Sequence, residues 1–375
     1  MKRDYSSFRA IHNSKSLSWQ WLLAGVIIGI LGFAVVSASK HRAETPYYNT
    51  QIEAASLMKE ATKELAGYRV SIGIEIDPVL DPNGTGLIGP EFTELTTTLG
   101  NIEAKRTSSS PDFAALLVRF FNELGLKRGD YVAIGASGSF PSLILATLCA
   151  CEVMGLEPLL VYSIGASEHG ATHPSFTFVQ MLQRLVEVGL LRDSLIAVSL
   201  GGNKDRASGM FFPNSLETMK EIALSSGKHF IFAENLETSI QERLELYQSY
   251  AEGLPKVFVN IGGASPNFGD SALALALENG LLTSFKVIPN TIDRGLIFEY
   301  ADLGVPVIHL LNIRDLALKN GIPIDPVPLP EPGRSGVYYM DSYSLSLTLV
   351  FIALMALIIF RGKPVKRSNT PRLKP

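Results

Sequence analysis

Val132-Ala133-Ile134-Gly135-Ala136-Ser137-Gly138-Ser139-Phe140-Pro141 runs from a short apolar strand, through a turn of small residues, to a proline where a helix begins. Three later stretches repeat the pattern. Tyr162-Ser163-Ile164-Gly165-Ala166-Ser167, Ala197-Val198-Ser199-Leu200-Gly201-Gly202-Asn203 and Val259-Asn260-Ile261-Gly262-Gly263-Ala264-Ser265 each end an apolar run on glycine and serine. As parallel strands of one sheet, these runs would put all four turns at its carboxyl edge, where open α/β sheets bind ligands.

Working outward, hydrophobic patterning predicts strands at Tyr131–Gly135, Pro158–Ser163, Leu195–Ser199, His229–Ala233, Lys256–Ile261 and Val305–Leu310. Between them it predicts helices at Ser142–Met154, Ser175–Val188, Ser215–Ser225, Ser239–Ala251 and Asp270–Leu282, the last with Asp270 as its cap. Such alternation defines an α/β fold with a mostly parallel, doubly wound sheet. Upstream, Ile52, Ala55, Met58, Ala61 and Leu65 give a helical stripe over Thr50–Ala66, and the alternation in Arg69–Ile76 reads as a strand. Asp77–Gly89 reads as a loop. Thr93–Ser110 is dense in hydroxyls, with Lys105 and Arg106 embedded in it, and a helix follows from Pro111 to Leu124.

Two further segments set the chain's surroundings. Residues 17–36 are almost uncharged and apolar, carry Trp19 and Trp21, and follow a basic segment, 1–16, with Lys2, Arg3, Arg9 and Lys15. They read as a transmembrane anchor, with a cleaved signal peptide ending near Ser37-Ala38-Ser39 as the competing reading. Residues 343–360 form a second uncharged apolar run, followed by the basic tail 361–375. Basic flanks face the cytoplasm, so the expectation is a two-pass cell (inner) membrane protein with both termini cytoplasmic. The α/β domain, 44–321, would be extracytoplasmic. The stretch 322–342, with five prolines between Ile322 and Pro332, would be a stiff spacer.

Composition narrows the function. The 375 residues carry a net charge of −3, which leaves no nucleic-acid footprint. Cys149 and Cys151 stand two apart on a predicted helix and do not suit a disulfide. Gly135-Ala136-Ser137-Gly138-Ser139 sits where a nucleophile elbow would sit, which makes Ser137 a candidate nucleophile, although the elbow's last glycine is Ser139 here. Neither a P-loop lysine nor a dinucleotide glycine spacing is present, so no cofactor is assigned. The loop Ser167-Glu168-His169-Gly170-Ala171-Thr172-His173-Pro174 offers His169 or His173 as a base for Ser137. A glycine in mid-loop breaks the helical His-x-x-x-His spacing, so no metal is assigned. Alternatively the turns bind an anion passively. Candidate ligand-binding residues are then Gly135, Ser139, Ser167, Glu168, Gly201, Gly202, Gly262, Gly263 and Ser265, with Lys204 and Arg206 as the cations.

Taken in order, the anchor, Thr107–Ala115, Ile134–Pro141, Ser167–Pro174 and Asn260–Asp270 resemble the poly-gamma-glutamate system protein family over nearly the whole chain. That family is associated with bacterial genes that make and export poly-γ-glutamate. The resemblance implies a place in capsule or polymer biosynthesis, with the polymer or its precursor and other membrane proteins as partners. It implies no reaction and assigns no catalytic residue. Two alternatives stay open: an extracytoplasmic serine hydrolase or transferase acting on γ-glutamyl amides, and a binding module for glutamate or a phosphosugar.

Overall fold

The computed structural model describes residues 19–269 and 272–361, and falls into two compact units, 44–339 and 1–43 with 340–375. The first unit is built on a seven-stranded sheet. Its strands are β1 (Tyr131–Ser137), β2 (Glu157–Ser163), β3 (Leu195–Ser199), β4 (His229–Ile231), β5 (Val257–Ile261), β6 (Gly280–Leu282) and β7 (Val307–Leu310). Their order is β4-β3-β2-β1-β5-β7-β6, and β6 alone runs antiparallel to its neighbour. The chain winds outward from β1 to β4, then crosses back to place β5 on the other side of β1. The winding direction therefore reverses between β1 and β5, which opens a crevice at their carboxyl ends.

Side chains alternate across β1. Val132, Ile134 and Ala136 enter the core of one face, while Ala133 enters the other. The first face carries the crossover helices Pro141–Met154, Phe178–Glu187 and Ser215–Ser225, and the second carries Leu236–Tyr250 and Leu296–Asp302. Pro141–Met154 is apolar all round because helices Tyr48–Ser71 and Asp112–Glu123 cover the side that the sheet leaves open.

Several expectations need correcting. Arg69–Ile76 is not a strand. The helix continues through Ser71, Val70 and Ile72 are exposed, and the buried Arg69 guanidinium donates to Gly86 O and Ile88 O at 2.8 and 2.7 Å. That alternation has no sheet face behind it. Asp270–Leu282 is not one helix. The one-turn helix Ser265–Phe268 precedes it, and the stretch itself holds a 3₁₀ turn Ala272–Ala276 and edge strand β6, with Leu273 and Leu275 exposed. Asp270, assigned as a cap, lies outside the described residues. The proline-rich stretch is not a free spacer, since it packs on the α/β body as far as Tyr339. Ile322, Val337 and Tyr338 are buried, and Asn83 bonds Pro326 O and the Leu329 N–H. Ser335 Oγ and, at 2.8 Å, Tyr338 OH donate to the Asp112 carboxylate, whose pKa is raised by its burial.

In the second unit, Trp19–Ala38 spans 20 residues and is long and apolar enough to cross a bilayer, as a membrane span or as a signal sequence. Leu345–Arg361 is also apolar but spans 17 residues, about 25 Å of helix, and is shorter than a typical span. The two helices lie side by side and antiparallel. A Cβ on Gly32 would meet Phe351 Cδ1 at 2.8 Å, and one on Gly25 would meet Ile358 Cγ2 at 3.8 Å. Ser39 Oγ accepts from the Ser344 N–H at 3.1 Å. Gly25, Gly32 and Ser39 thus form a seam of small residues one heptad apart, which lets the backbones approach closely. Gly32→Ile overpacks this seam at a cost of about 1–3 kcal/mol. The check is disulfide formation between Ser39→Cys and Ser344→Cys in membranes, expected to be efficient with Gly32 and strongly reduced with isoleucine there.

Candidate functional site: a hydroxyl-lined pocket at the sheet edge

Three of the four small-residue turns pack on one another through their backbones, and the fourth joins them through Ser265 Oγ, which donates to Gly202 O at 3.1 Å. The Gly138 N–H donates to Ser163 O at 2.9 Å, the Ala171 N–H to Gly138 O at 2.7 Å and the Gly165 N–H to Leu200 O at 2.9 Å. Gly201, at φ +76°, leaves room for this contact, because a Cβ there would lie 2.9 Å from Gly165 N. What remains between the turns is a pocket of about 380 Å³ at the crevice between β1 and β5. Its walls carry the side chains of Ser137, Ser139, Ser163, Ser167 and Ser265, together with Thr97 and Thr98 from the flanking strand Thr96–Thr98. Gly165, Gly201, Gly202 and Gly263 also line it, and Leu99, Phe140, Asn203, Ala264 and Leu311 complete the lining. The Ser137 Oγ is buried in this wall beside Gly262 with no hydrogen-bond partner among the described residues. A buried hydroxyl without a partner costs about 1–3 kcal/mol, which a ligand atom or water can recover.

Two buried networks hold the edge rigid. Asp205 Oδ1 accepts from the Gly201 N–H at 3.0 Å and from Ser199 Oγ at 2.8 Å, while Oδ2 accepts from Arg243 Nη2 and Ser239 Oγ, both at 2.9 Å. On the other side, Asn267 Nδ2 donates to Gly135 O and to Asn260 Oδ1, both at 2.8 Å. Asn260 Nδ2 lies 3.0 Å from His309 Nδ1. Burial lowers the pKa of His309 to about 4, so it is neutral and accepts through Nδ1. A Cβ on Gly135 would collide with Asn267 Oδ1 at 2.5 Å, so Gly135 serves this packing and does not line the pocket.

Behind the pocket wall stands Lys105, from the short helix Ile102–Ser108; it does not itself line the pocket but bonds two residues that do, Ser139 and Ser167. Its ammonium is buried against the Phe140 ring, 4.2 Å from the centroid, and bonds Ser139 O and, at 2.7 Å, Ser167 Oγ. Desolvation brings its pKa down to about 7, with Glu168 opposing the shift. The signal for Lys105 is present in the sequence, in the hydroxyl-dense Thr93–Ser110 stretch, but no strand end marks it as part of the edge. Lys204 and Arg206 do not line the pocket. Arg206 donates to Ala233 O at 2.8 Å and to Glu234 O, and lies 5.6 Å from the Phe232 ring centroid.

The expected pairing of Ser137 with a histidine is not formed. His169 Nδ1 lies 3.3 Å from Gly89 O, His173 Nδ1 accepts from the Ser175 N–H at 3.2 Å, and neither residue lines the pocket. Burial and the nearby Arg69 charge lower the pKa of His173. Glu168 instead fastens the loop, with its carboxylate accepting from the Gly100 N–H at 2.9 Å. Among the described residues there is no group of three or more His, Cys, Asp and Glu side chains that could hold a metal ion.

Seven hydroxyl side chains around a small cavity, with one buried amine behind its wall, make a candidate polar site with the chemistry to meet a carboxylate or phosphate oxygen. No family model, no curated protein and no solved structure matches the chain.

Proposed function

We propose that this protein is a membrane-anchored component of poly-γ-glutamate synthesis or export, and that its α/β domain binds a carboxylate-bearing ligand in the pocket between β1 and β5. The observation that carries the binding is the pocket itself. It sits where the winding reverses, seven of its lining side chains carry hydroxyls, and one of these, Ser137, has a buried oxygen without a partner among the described residues. The pathway rests on the ordered resemblance of segments described above. A volume of about 380 Å³ is near the lower end for small-molecule sites, which favours a chain end or a single glutamyl unit over the body of a polymer. For the topology, the antiparallel seam between Trp19–Ala38 and Leu345–Arg361 and the apolar residues on their outer faces support a two-helix anchor. Both basic termini would then be cytoplasmic, with the pocket outside.

Gly263 provides a clean test. A Cβ there meets nothing within 4 Å, so a larger side chain extends into free space without backbone strain. Titration calorimetry of the full chain in micelles with a γ-glutamyl oligomer is expected to show binding. Gly263→Leu should weaken it at least about tenfold, or about 1.4 kcal/mol. Absent binding, or equal binding by Gly263→Leu, refutes the site.

A further inference from the structure

We infer that Ser167 and Lys105 form a nucleophile and general-base pair, and that the pocket carries out acyl transfer from a γ-glutamyl amide. This assignment rests on the pocket being a ligand site. Ser167 lines the pocket and is only partly buried, whereas Ser137 Oγ is enclosed and has no base. Lys105 Nζ stands 2.7 Å from Ser167 Oγ, within reach for proton transfer. The Ser139 carbonyl accepts from the amine and the Phe140 ring packs against it, which leaves the Ser167 hydroxyl as the group its lone pair can accept from when the amine is neutral. Burial makes the amine neutral near physiological pH, the form able to take a proton. The Ser167 N–H donates to Ser139 Oγ at 3.0 Å, which ties the nucleophile to the β1 turn. The N–H groups of Ser139 and Phe140 have no acceptor among the described residues and lie at the start of helix Pro141–Met154, and we assign them as the donors to a developing oxyanion.

The step balances with water or an amine as the second substrate. Ser167 Oγ bonds to the carbonyl carbon while its proton passes to Lys105 Nζ. The C–N bond breaks, and the departing nitrogen takes that proton from Lys105. The resulting ester is then attacked by water or by an acceptor amine, which gives a proton to Lys105. The serine oxygen leaves with that proton, and the amine is again neutral. The net change is hydrolysis of the amide or transfer of the glutamyl group.

The test uses diisopropyl fluorophosphate on the full chain in micelles. Ser167 Oγ is expected to bond to phosphorus as fluoride leaves, and peptide mass analysis of the wild type locates the adduct without any variant. The labelling rate should rise with pH through about 7, where Lys105 loses its proton against the opposing charge of Glu168. Lys105→Arg keeps a charge but supplies no base, and should slow labelling about 100-fold or more. No adduct, an adduct on another side chain, or undiminished labelling of Lys105→Arg overturns the assignment. Binding of the γ-glutamyl oligomer, measured on the same preparation, separates the two readings. Binding without an adduct removes only the chemistry, and loss of both removes the site.

Discussion

Asp205→Ala is expected to lower the stability of the α/β body by about 3–5 kcal/mol. Asp205 and Arg243 are both almost wholly enclosed, with side-chain exposures of 2% each, and they meet at 2.9 Å. The partners left to Arg243 are Ser199 Oγ at 2.7 Å, Ser239 O at 3.1 Å, Ser239 Oγ and, at 3.5 Å, Ser163 Oγ. All are neutral, and a guanidinium cannot shed its proton, so the truncation leaves an uncompensated buried charge. A loss of this size is a large part of the roughly 5–15 kcal/mol that holds a typical domain together. Urea unfolding of the full chain in micelles should show a lower midpoint with little change in slope. Removing both charges, as Asp205→Ala with Arg243→Met, should recover much of the loss, because the Coulomb partner and the stranded cation disappear together. A single-variant loss under about 1 kcal/mol would mean that the pair holds nothing in place. The pocket depends on this pair through the Gly201 N–H, which would lose its acceptor, so ligand affinity should fall with stability in Asp205→Ala and return less completely in the double variant.

The parallel strands were the most legible part of the chain. Ile134, Val161, Val198 and Val259 sit in apolar runs covered on both faces, and such runs cut by glycine have few other structures open to them. The convergence of the turns at the carboxyl edge was legible for the same reason, and Ser139, Ser167, Gly201, Gly202, Gly263 and Ser265 all surround one pocket there. The failures share a cause in contacts remote in sequence. Val70 and Ile72 alternate like a strand, yet Arg69 is held by carbonyls 17 and 19 residues away. Lys204 and Arg206 follow a strand end, but the turn that Asp205 anchors leaves them outside the pocket. Lys105 reaches the back of the pocket wall from a helix preceding β1, across 34 residues to Ser139 and 62 to Ser167, and no local pattern encodes that approach.

The stability of the folded chain relative to a Lys105→Met variant is expected to depend steeply on pH above neutrality. In the unfolded chain Lys105 holds its proton up to about 10.5, whereas in the folded chain burial lowers the pKa to about 7. Between these values the unfolded state binds the extra proton, so stability rises with pH by up to about 1.4 kcal/mol per pH unit. This contribution is fully present above the unfolded value and is lost as pH falls through the folded value. Methionine has no such proton, so the wild type should gain about 3 kcal/mol on the variant between pH 7 and 9.5, with the difference level below pH 6. Other titrating groups cancel in this comparison unless they touch Lys105. The nearby charge acting on it is Glu168, which favours the ammonium and so narrows the gap between the folded and unfolded values without changing the slope within it. The measurement is the urea midpoint of both proteins across this range. At neutral pH the lysine is a burden that methionine, close in length and free of charge, would relieve. A residue kept at such a cost, with its nitrogen against Ser167 and the pocket wall, points to work that methionine cannot do. A flat difference would show that Lys105 keeps its proton in the folded protein. It would then be a fixed cation beside the ligand, and Ser167 would have no base.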